Sequence, residues 1–381
     1  MFNVKKMKIA FVIHGLSMGG AEKFLIYLVN RLSDIGHDPI IITLSNDKTL
    51  LHEVNKNVTV ITILRKHKFD LSVTAKIRKT LFAHEIDSVF CINMFSFFLT
   101  KLGLLFNKNI QFYLSLHSTD PVSFKNHLAN HIYFRFVNRK DIVVYICQNQ
   151  KNFLKPKYFI SSFHDEVIYN GIDTAFFDPA LFSNFNAQLL RDQYGISSSD
   201  MLILKVARLR IEKGHVDAIQ ALSILHTQFS LKAHLLFVGN GDEPFITSLK
   251  DLTRKSGLDG FVHFSGIQSD VRKFYMISSI FTLTSHSIET FSLAALEAMS
   301  FSLPCSLTDI GGANEMISEG INGFLTQPHN SFSIAESWNH LLNGQFDKQQ
   351  IRGLVLQQFT SNKMLDQYIN LLKQNSIQFN N

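Results

Sequence analysis

Four short segments of this chain combine residue types that hold anions or sugars. The first, His14-Gly15-Leu16-Ser17-Met18-Gly19-Gly20-Ala21-Glu22, joins an apolar run to an amphipathic one. Glycines let the backbone approach a ligand, and a helix N-terminus offers free N–H groups and a positive dipole end to an anion. A phosphate-binding loop and a plain tight turn both satisfy that pattern. The dinucleotide spacing G-x-G-x-x-G and the Walker loop are absent. The second segment, Val206-Ala207-Arg208-Leu209-Arg210-Ile211-Glu212-Lys213-Gly214, places Arg208 at a strand end and Lys213 just before a helix. A guanidinium fork beside an ammonium suits a diphosphate, although basic residues at a strand end commonly just face solvent.

The third segment runs from Thr284 to Met299. A strand ends near Leu283 and a helix is expected to begin close to Glu289. The amides of Phe291, Ser292 and Leu293 would then face a ligand and could hold a phosphate. On a regular helix Glu297 would lie about 12 Å beyond Glu289. One carboxylate could meet a sugar and the other a distant part of the same molecule, such as ribose hydroxyls. Glu289 also fits ordinary helix-start chemistry, whereas Glu297 in an apolar helix needs a partner. Last, His117 closes a strand, where it could donate to a sugar hydroxyl or a phosphate, or simply bond backbone.

These residues need elements to carry them, and the pattern supplies two arrays. Lys8–Ile13, Pro39–Leu44, Val58–Leu64, Ser88–Ile92, Ile110–Leu116 and Ile142–Cys147 are β-branched or aromatic runs of strand length. Helical spacing fills most gaps, in Ala21–Leu32, Leu71–Ala83 and Phe124–Val137, with Gly36 placed to cap the first. Asn170-Gly171-Ile172-Asp173 reads as a turn in which Gly171 supplies positive φ. A turn-rich stretch to about Asp200 follows. The alternation then restarts with strands Met201–Ala207, Ala233–Val238, Phe261–Phe264, Ile280–Leu283 and Pro304–Leu307. Helix Gly214–Leu225 and the glycine turn Gly239-Asn240-Gly241-Asp242 accompany them. Strands alternating with helices specify α/β, doubly wound parallel sheets, and two such domains facing each other would make a cleft. The expected boundaries are 1–175 and 176–361, with a final amphipathic stretch over about 362–381.

Composition narrows the class. The 381 residues exceed what one core usually serves, and 46% hydrophobic against 18% charged excludes a disordered chain. Cys91, Cys147 and Cys305 lie far apart in apolar runs, which argues for buried thiols and against a disulfide framework or a sequence-local zinc site. Phe95–Phe106 carries Lys101 and falls short of a membrane span. Residues 1–180 hold 22 Lys and Arg against 14 Asp and Glu, while 181–381 hold 15 against 17, so the net +6 belongs to the first half. It gathers at Arg65, Lys66, Lys68, Lys76, Arg78 and Lys79, and around Lys125, Arg135, Arg139 and Lys140. An anionic surface or a plain solvated face accounts for it. Nucleic acid is a poor fit, since no aromatic-basic motif or recognition helix accompanies the charge.

Taken in order, the motifs resemble the retaining GT-B glycosyltransferases of family 4. The matching residues are Gly19-Gly20-Ala21-Glu22, Asn170-Gly171-Ile172-Asp173, Val206–Leu209 with Lys213-Gly214, Val238–Asp242 and Gly266. Glu289 with Glu297, and Asp309-Ile310-Gly311-Gly312 with Glu315, complete the set. The resemblance implies two Rossmann-like domains and transfer of a sugar from a nucleotide-sugar such as a UDP- or GDP-sugar. It implies Arg208 and Lys213 at the diphosphate, Glu297 at the ribose, and Glu289 and His117 near the sugar. Gly19 and Gly20 would touch the donor, backbone near Ile267 the base, and the last helix would cross back to the first domain. No metal is required on this reading, and no D-x-D tripeptide occurs. Thr290 and Ser292 stand where the family often has glycine, which bears on sugar preference. The expected acceptor is a glycan or polyprenyl-linked glycan in surface polysaccharide synthesis. The expected location is the cytoplasm, with the basic half on the anionic inner face of a membrane. A same-fold epimerase or a non-catalytic nucleotide-sugar binder is the alternative.

Overall fold

The computed structural model describes residues 6–67, 70–105, 109–117, 124–287 and 289–378. Lys68 of the first basic group lies outside the described residues, as does the side chain of Lys125. The chain divides into two compact units, Met1–Asn170 with Asn362–Asn381, and Gly171–Ser361.

The first unit begins with β1 (Lys8–Ile13), α1 (Gly20–Asp34), β2 (Asp38–Thr43), β3 (Thr59–Thr62) and α2 (Ser72–Ala83). It continues through β4 (Ser88–Ile92), α3 (Asn93–Gly103), β5 (Gln111–Leu116), α4 (Phe124–Phe134), β6 (Ile142–Tyr145), α5 (Gln148–Lys157) and β7 (His164–Val167). All its strands are parallel, in the order β3-β2-β1-β4-β5-β6-β7. Strand periodicity sorts the side chains between two faces: Ile9, Phe11 and Ile13 enter one core, Ala10 and Val12 the other. Gly36 follows α1 at φ +89, a backbone state that costs glycine little. The apolar stretch after Ile92 is α3, which packs Met94, Phe97 and Leu99 into the second core. No described helix is long and apolar enough to cross a membrane.

The second unit repeats the plan. After α6 (Ala187–Asp192) come β8 (Met201–Val206), α7 (His215–Thr227), β9 (Ala233–Val238), α8 (Glu243–Lys255), β10 (Val262–Phe264) and α9 (Arg272–Ile277). They lead to β11 (Ile280–Leu283), α10 (Leu293–Ser300), β12 (Cys305–Thr308), α11 (Ala313–Met316), β13 (Gly323–Thr326), α12 (Ser331–Asn343) and α13 (Lys348–Gln358). The parallel order is β10-β9-β8-β11-β12-β13. Both sheets therefore reverse their winding once, between β1 and β4 and between β8 and β11. In open sheets of this kind the crevice at that reversal, beyond the strand C-termini, receives the ligand.

The closing helix α14 (Ser361–Gln378) belongs to the first unit, where Met364, Leu365, Tyr368, Ile369, Leu371 and Leu372 enter the core beside β1 and α1. One expectation fails at the linker. Gly171 has no positive φ; a side chain there would instead strike the Thr360 carbonyl, because Ile172 and Thr360 pair as a bridge. Close backbone approach, not turn geometry, is what demands glycine.

Candidate functional site

In the second unit the loops after β8 and β11 interlock at the sheet's reversal. Gly214, at φ +63, faces the Thr284 carbonyl so closely that a β-carbon there would overlap it, and Thr284 Oγ1 donates to the Gly214 oxygen at 2.5 Å. His286 N donates to Glu212 O at 2.9 Å. This packing brings Lys213 Nζ to Glu289 Oε2 at 2.7 Å, with each side chain about one-fifth exposed (20% and 22%). Ser285 Oγ reaches the same carboxylate oxygen at 3.4 Å. Arg208 stands exposed on the same loop, two residues beyond β8. A third loop closes on the pair's backbone: Gly311, at φ +57, lies against the Glu289 and Thr290 carbonyls, and Gly312 N donates to Thr290 O at 2.7 Å. The glycine turn after β9 docks alongside, with Leu209 N donating to Asn240 O at 2.8 Å.

Helix α10 departs from expectation. It begins at Leu293, not near Glu289, and Ser292 is its N-cap, with Oγ accepting from Ala295 N at 3.2 Å. Glu289 therefore sits in a loop, and the regular-helix spacing to Glu297 does not apply. Ser292 already satisfies one of the helix's free donors, and Phe291 is buried with its ring 5.6 Å from that of Phe359. Glu297 is half-buried on α10 and has the partner it required: Tyr275 donates its hydroxyl to Oε2 at 2.8 Å. Burial raises the Tyr275 pKa well above its usual value, and the Glu297 charge adds to the shift, so the phenol stays a donor. Ile267 is 72% exposed and follows Gly266 at φ +69.

A residue that sequence reading passed over lies beneath. Lys205, inside a run that reads as an apolar strand, has no exposed surface. Its ammonium donates to Lys213 O and Thr284 Oγ1, each at 2.6 Å. Burial, then the nearby Lys213 charge, pulls its pKa down to about 7. The only signal in the sequence is a lysine in the middle of a buried parallel strand, which needs such partners.

In the first unit Gly19 is the N-cap of α1 and Gly20 its first residue. The α1 N-terminus is occupied by a carboxylate: Glu22 folds back to where a Gly19 side chain would stand and accepts from Ser17 Oγ at 3.1 Å. His117 follows β5. Its backbone N donates to Asn93 Oδ1 at 3.0 Å, its Nε2 pairs with Ser115 Oγ at 3.0 Å, and Phe24 packs 4.6 Å from its ring. Burial drives its pKa down to about 3, so the imidazole is neutral at ordinary pH. All three cysteines are buried, and burial pushes the Cys91 thiol up to about 12.

Although no metal ligand set was expected, Asp217, His286 and His329 place ligand atoms within 4.8 Å of one another. They come from three separate stretches, so no local spacing announces them.

Comparison with known proteins bears on the family and the fold. The model of glycosyl transferases group 1 matches residues 186–353, and that of Glycosyltransferase Family 4 matches residues 18–176. An N-acetyl-alpha-D-glucosaminyl L-malate synthase of Bacillus anthracis is 26% identical over 384 residues, spanning 95% of this chain and 96% of that protein. The crystal structure of a glycosyltransferase from Rickettsia africae superposes with a TM-score of 0.82 at 25% identity, over 97% of this chain and 98% of the other. That of Anabaena HepE, in complex with UDP, superposes with a TM-score of 0.82 at 21% identity, over 97% and 100%.

Proposed function

Since the chain belongs to the group 1 and family 4 glycosyltransferases and has the GT-B fold, we propose that it moves a sugar from a nucleoside-diphosphate donor to a glycan or polyprenyl-linked glycan, retaining the anomeric configuration. The observation that carries this reading is the Lys213–Glu289 pair at the reversal of the second sheet, with Arg208 on the same loop. A carboxylate and two cations there match the two ends of such a donor, hydroxyls on the sugar and negative charge on the diphosphate. The UDP held by the Anabaena relative supports the same class of ligand.

In the reaction, the bond from the anomeric carbon to the phosphate oxygen breaks, and its electron pair stays with the phosphate. The acceptor hydroxyl oxygen forms the new bond on the face from which the diphosphate departs, and its proton passes to the departing phosphate oxygen. Arg208 and Lys213 oppose the charge that grows on the leaving diphosphate, in the place where a metal ion would otherwise sit. Glu289 holds Lys213 in position and takes the sugar's hydroxyls. Tyr275 orients the Glu297 carboxylate toward the ribose, and the amides at Phe291, Ser292 and Leu293 border the phosphates. The exposed backbone at Ile267 meets the base. His117, being neutral, serves as a hydrogen-bond partner to the sugar and not as a cation. The Glu22 carboxylate at Gly19 and Gly20 favours hydroxyls over phosphate at that loop. We place the product among surface polysaccharides, made on the cytoplasmic side.

Replacing Arg208 with alanine should lower transfer by roughly 10²–10³-fold with the melting temperature unchanged, as loss of one charge-stabilising donor does. Release of free nucleotide only when acceptor is present separates transfer from epimerisation. Turnover equal to that of the unmodified protein in the Arg208→Ala variant would sink the assignment.

A further inference from the structure

Beside the Lys213–Glu289 pair, three side chains converge from three parts of the second unit. Asp217 stands in the first turn of α7, four residues beyond Lys213, and is buried. His286 lies three residues before Glu289 on the β11–α10 loop and is half-buried. His329, on the turn between β13 and α12, is exposed. One ligand atom from each lies within 4.8 Å of the other two. His286 Nε2 meets Asp217 Oδ2 directly, and the His286 and His329 rings are 3.7 Å apart, centroid to centroid.

Two features of this cluster suit it to hold a cation. Asp217 keeps only 8% exposure and already meets His286, so burial brings a carboxylate oxygen and an imidazole nitrogen, both metal-ligand atoms, into direct contact. His329 holds φ +59, a left-handed state uncommon outside glycine. In that conformation its imidazole lies over the His286 ring. A cation could be shared among the three donors.

We propose that Asp217, His286 and His329 form a binding site for a divalent transition metal of the zinc class. Two imidazole nitrogens with one carboxylate oxygen are the borderline donor set that zinc, cobalt and nickel take; magnesium and calcium prefer oxygen alone. Tetrahedral donors around zinc lie ~3.4 Å apart, so His286 Nε2 and Asp217 Oδ2, now in direct contact, would separate to admit the ion, with all three donors already within 4.8 Å. The exposed side at His329 leaves the fourth position to water. The ion would tie together α7, the β11–α10 loop and the β13–α12 turn. Because His286 N also donates to Glu212 O at 2.9 Å, it would brace the loops that carry Lys213 and Glu289. The proposal does not depend on the sugar-transfer reading, since binding is read without any substrate.

The full-length protein, stripped with chelator and dialysed, is titrated with zinc chloride by calorimetry and assayed for bound metal. The proposal expects about one equivalent bound and a raised melting temperature, with no heat from magnesium chloride. His329→Ala, at an exposed turn, should weaken zinc binding by roughly tenfold or more, and His286→Ala likewise. His329→Cys, which keeps a zinc ligand, should restore it. His52→Ala, far along the chain in the first unit, should bind as the parent does. Zinc binding without saturation near one equivalent, or His329→Ala with the parent's affinity, would overturn the site. Loss of transfer in Arg208→Ala with zinc binding intact leaves the two conclusions separately tested.

Discussion

Lys205 shows what a single buried charge does to this protein. Its pKa of about 7 in the fold contrasts with a usual lysine value near 10.5 in the unfolded chain. Below pH 7 both states carry the proton and the burial penalty is complete. Between about 7 and 10.5 the unfolded chain binds more protons than the native one, so stability rises with pH across that window. Each unit of pKa difference is worth roughly 1.4 kcal/mol. Denaturant unfolding at a series of pH values should show this upward slope, and Lys205→Met should remove it. A parent protein whose stability is flat over that range would contradict the assignment. The neighbouring pair makes a separate prediction: Glu289→Gln, which removes the counter-charge of Lys213, should reduce turnover by roughly 10²-fold. Free-nucleotide release reads it directly.

At the scale of elements, the site depends on glycines that let backbone segments touch. Gly214→Ala would place a β-carbon against the Thr284 carbonyl in a backbone already at φ +63. Neither atom is a flexible side-chain end, so the loop must move. A loss of more than about 1 kcal/mol in unfolding free energy is expected, with donor binding weakened alongside it. Equal stability of the variant would show that the interlock does not matter. The same elements show what sequence can and cannot convey. Strands such as Ser88–Ile92, Ala233–Val238 and Ile280–Leu283 are legible because burial on both faces leaves a continuous apolar run. Strand β7, with sequence His-Asp-Glu-Val at a sheet edge and no fully buried residue, leaves no such trace. Strand β13 is hidden by its glycine start and only four residues. Glu289 resembles a first-turn acid and so suggests too early a start for α10, while the true signal is Ser292, three residues before the amide it caps. Arg208, Lys213, Glu289 and Glu297 were visible as motif residues. Lys205, Tyr275 and the Asp217–His286–His329 cluster were not, because each acquires meaning only from partners distant in sequence.

At the scale of the whole molecule, the excess positive charge has a physical setting in the first unit. Helix α2 exposes Lys76, Arg78 and Lys79, and Leu71 and Phe82 are 57% and 46% exposed beside them. Other members of the basic group lie over aromatic rings: the half-buried Arg65 4.7 Å over Phe95 and the exposed Arg139 4.9 Å over Phe163. We propose that the α2 face meets an anionic membrane. Each basic residue near such a surface contributes about 1 kcal/mol. Binding to phosphatidylserine vesicles at low salt should therefore fall by roughly 10²-fold when Lys76, Arg78 and Lys79 are all replaced by glutamine. Indifference of the parent protein to vesicle charge would refute it.

The placement of α14 has a consequence for how the protein is made. The core that β1 and α1 begin cannot be finished before the second unit is translated, since Met364, Leu365, Tyr368 and Ile369 of that core follow the second unit in the chain. The second unit, contiguous from Gly171 to Ser361, has all its parts while those residues are still being added. Order of synthesis and order of completion are thus reversed. A chain ending at residue 361 should retain the unfolding transition of the second unit and lose that of the first. Cells that produce such a truncated chain would face an open hydrophobic surface along β1 and α1, exposed throughout the synthesis of the second unit.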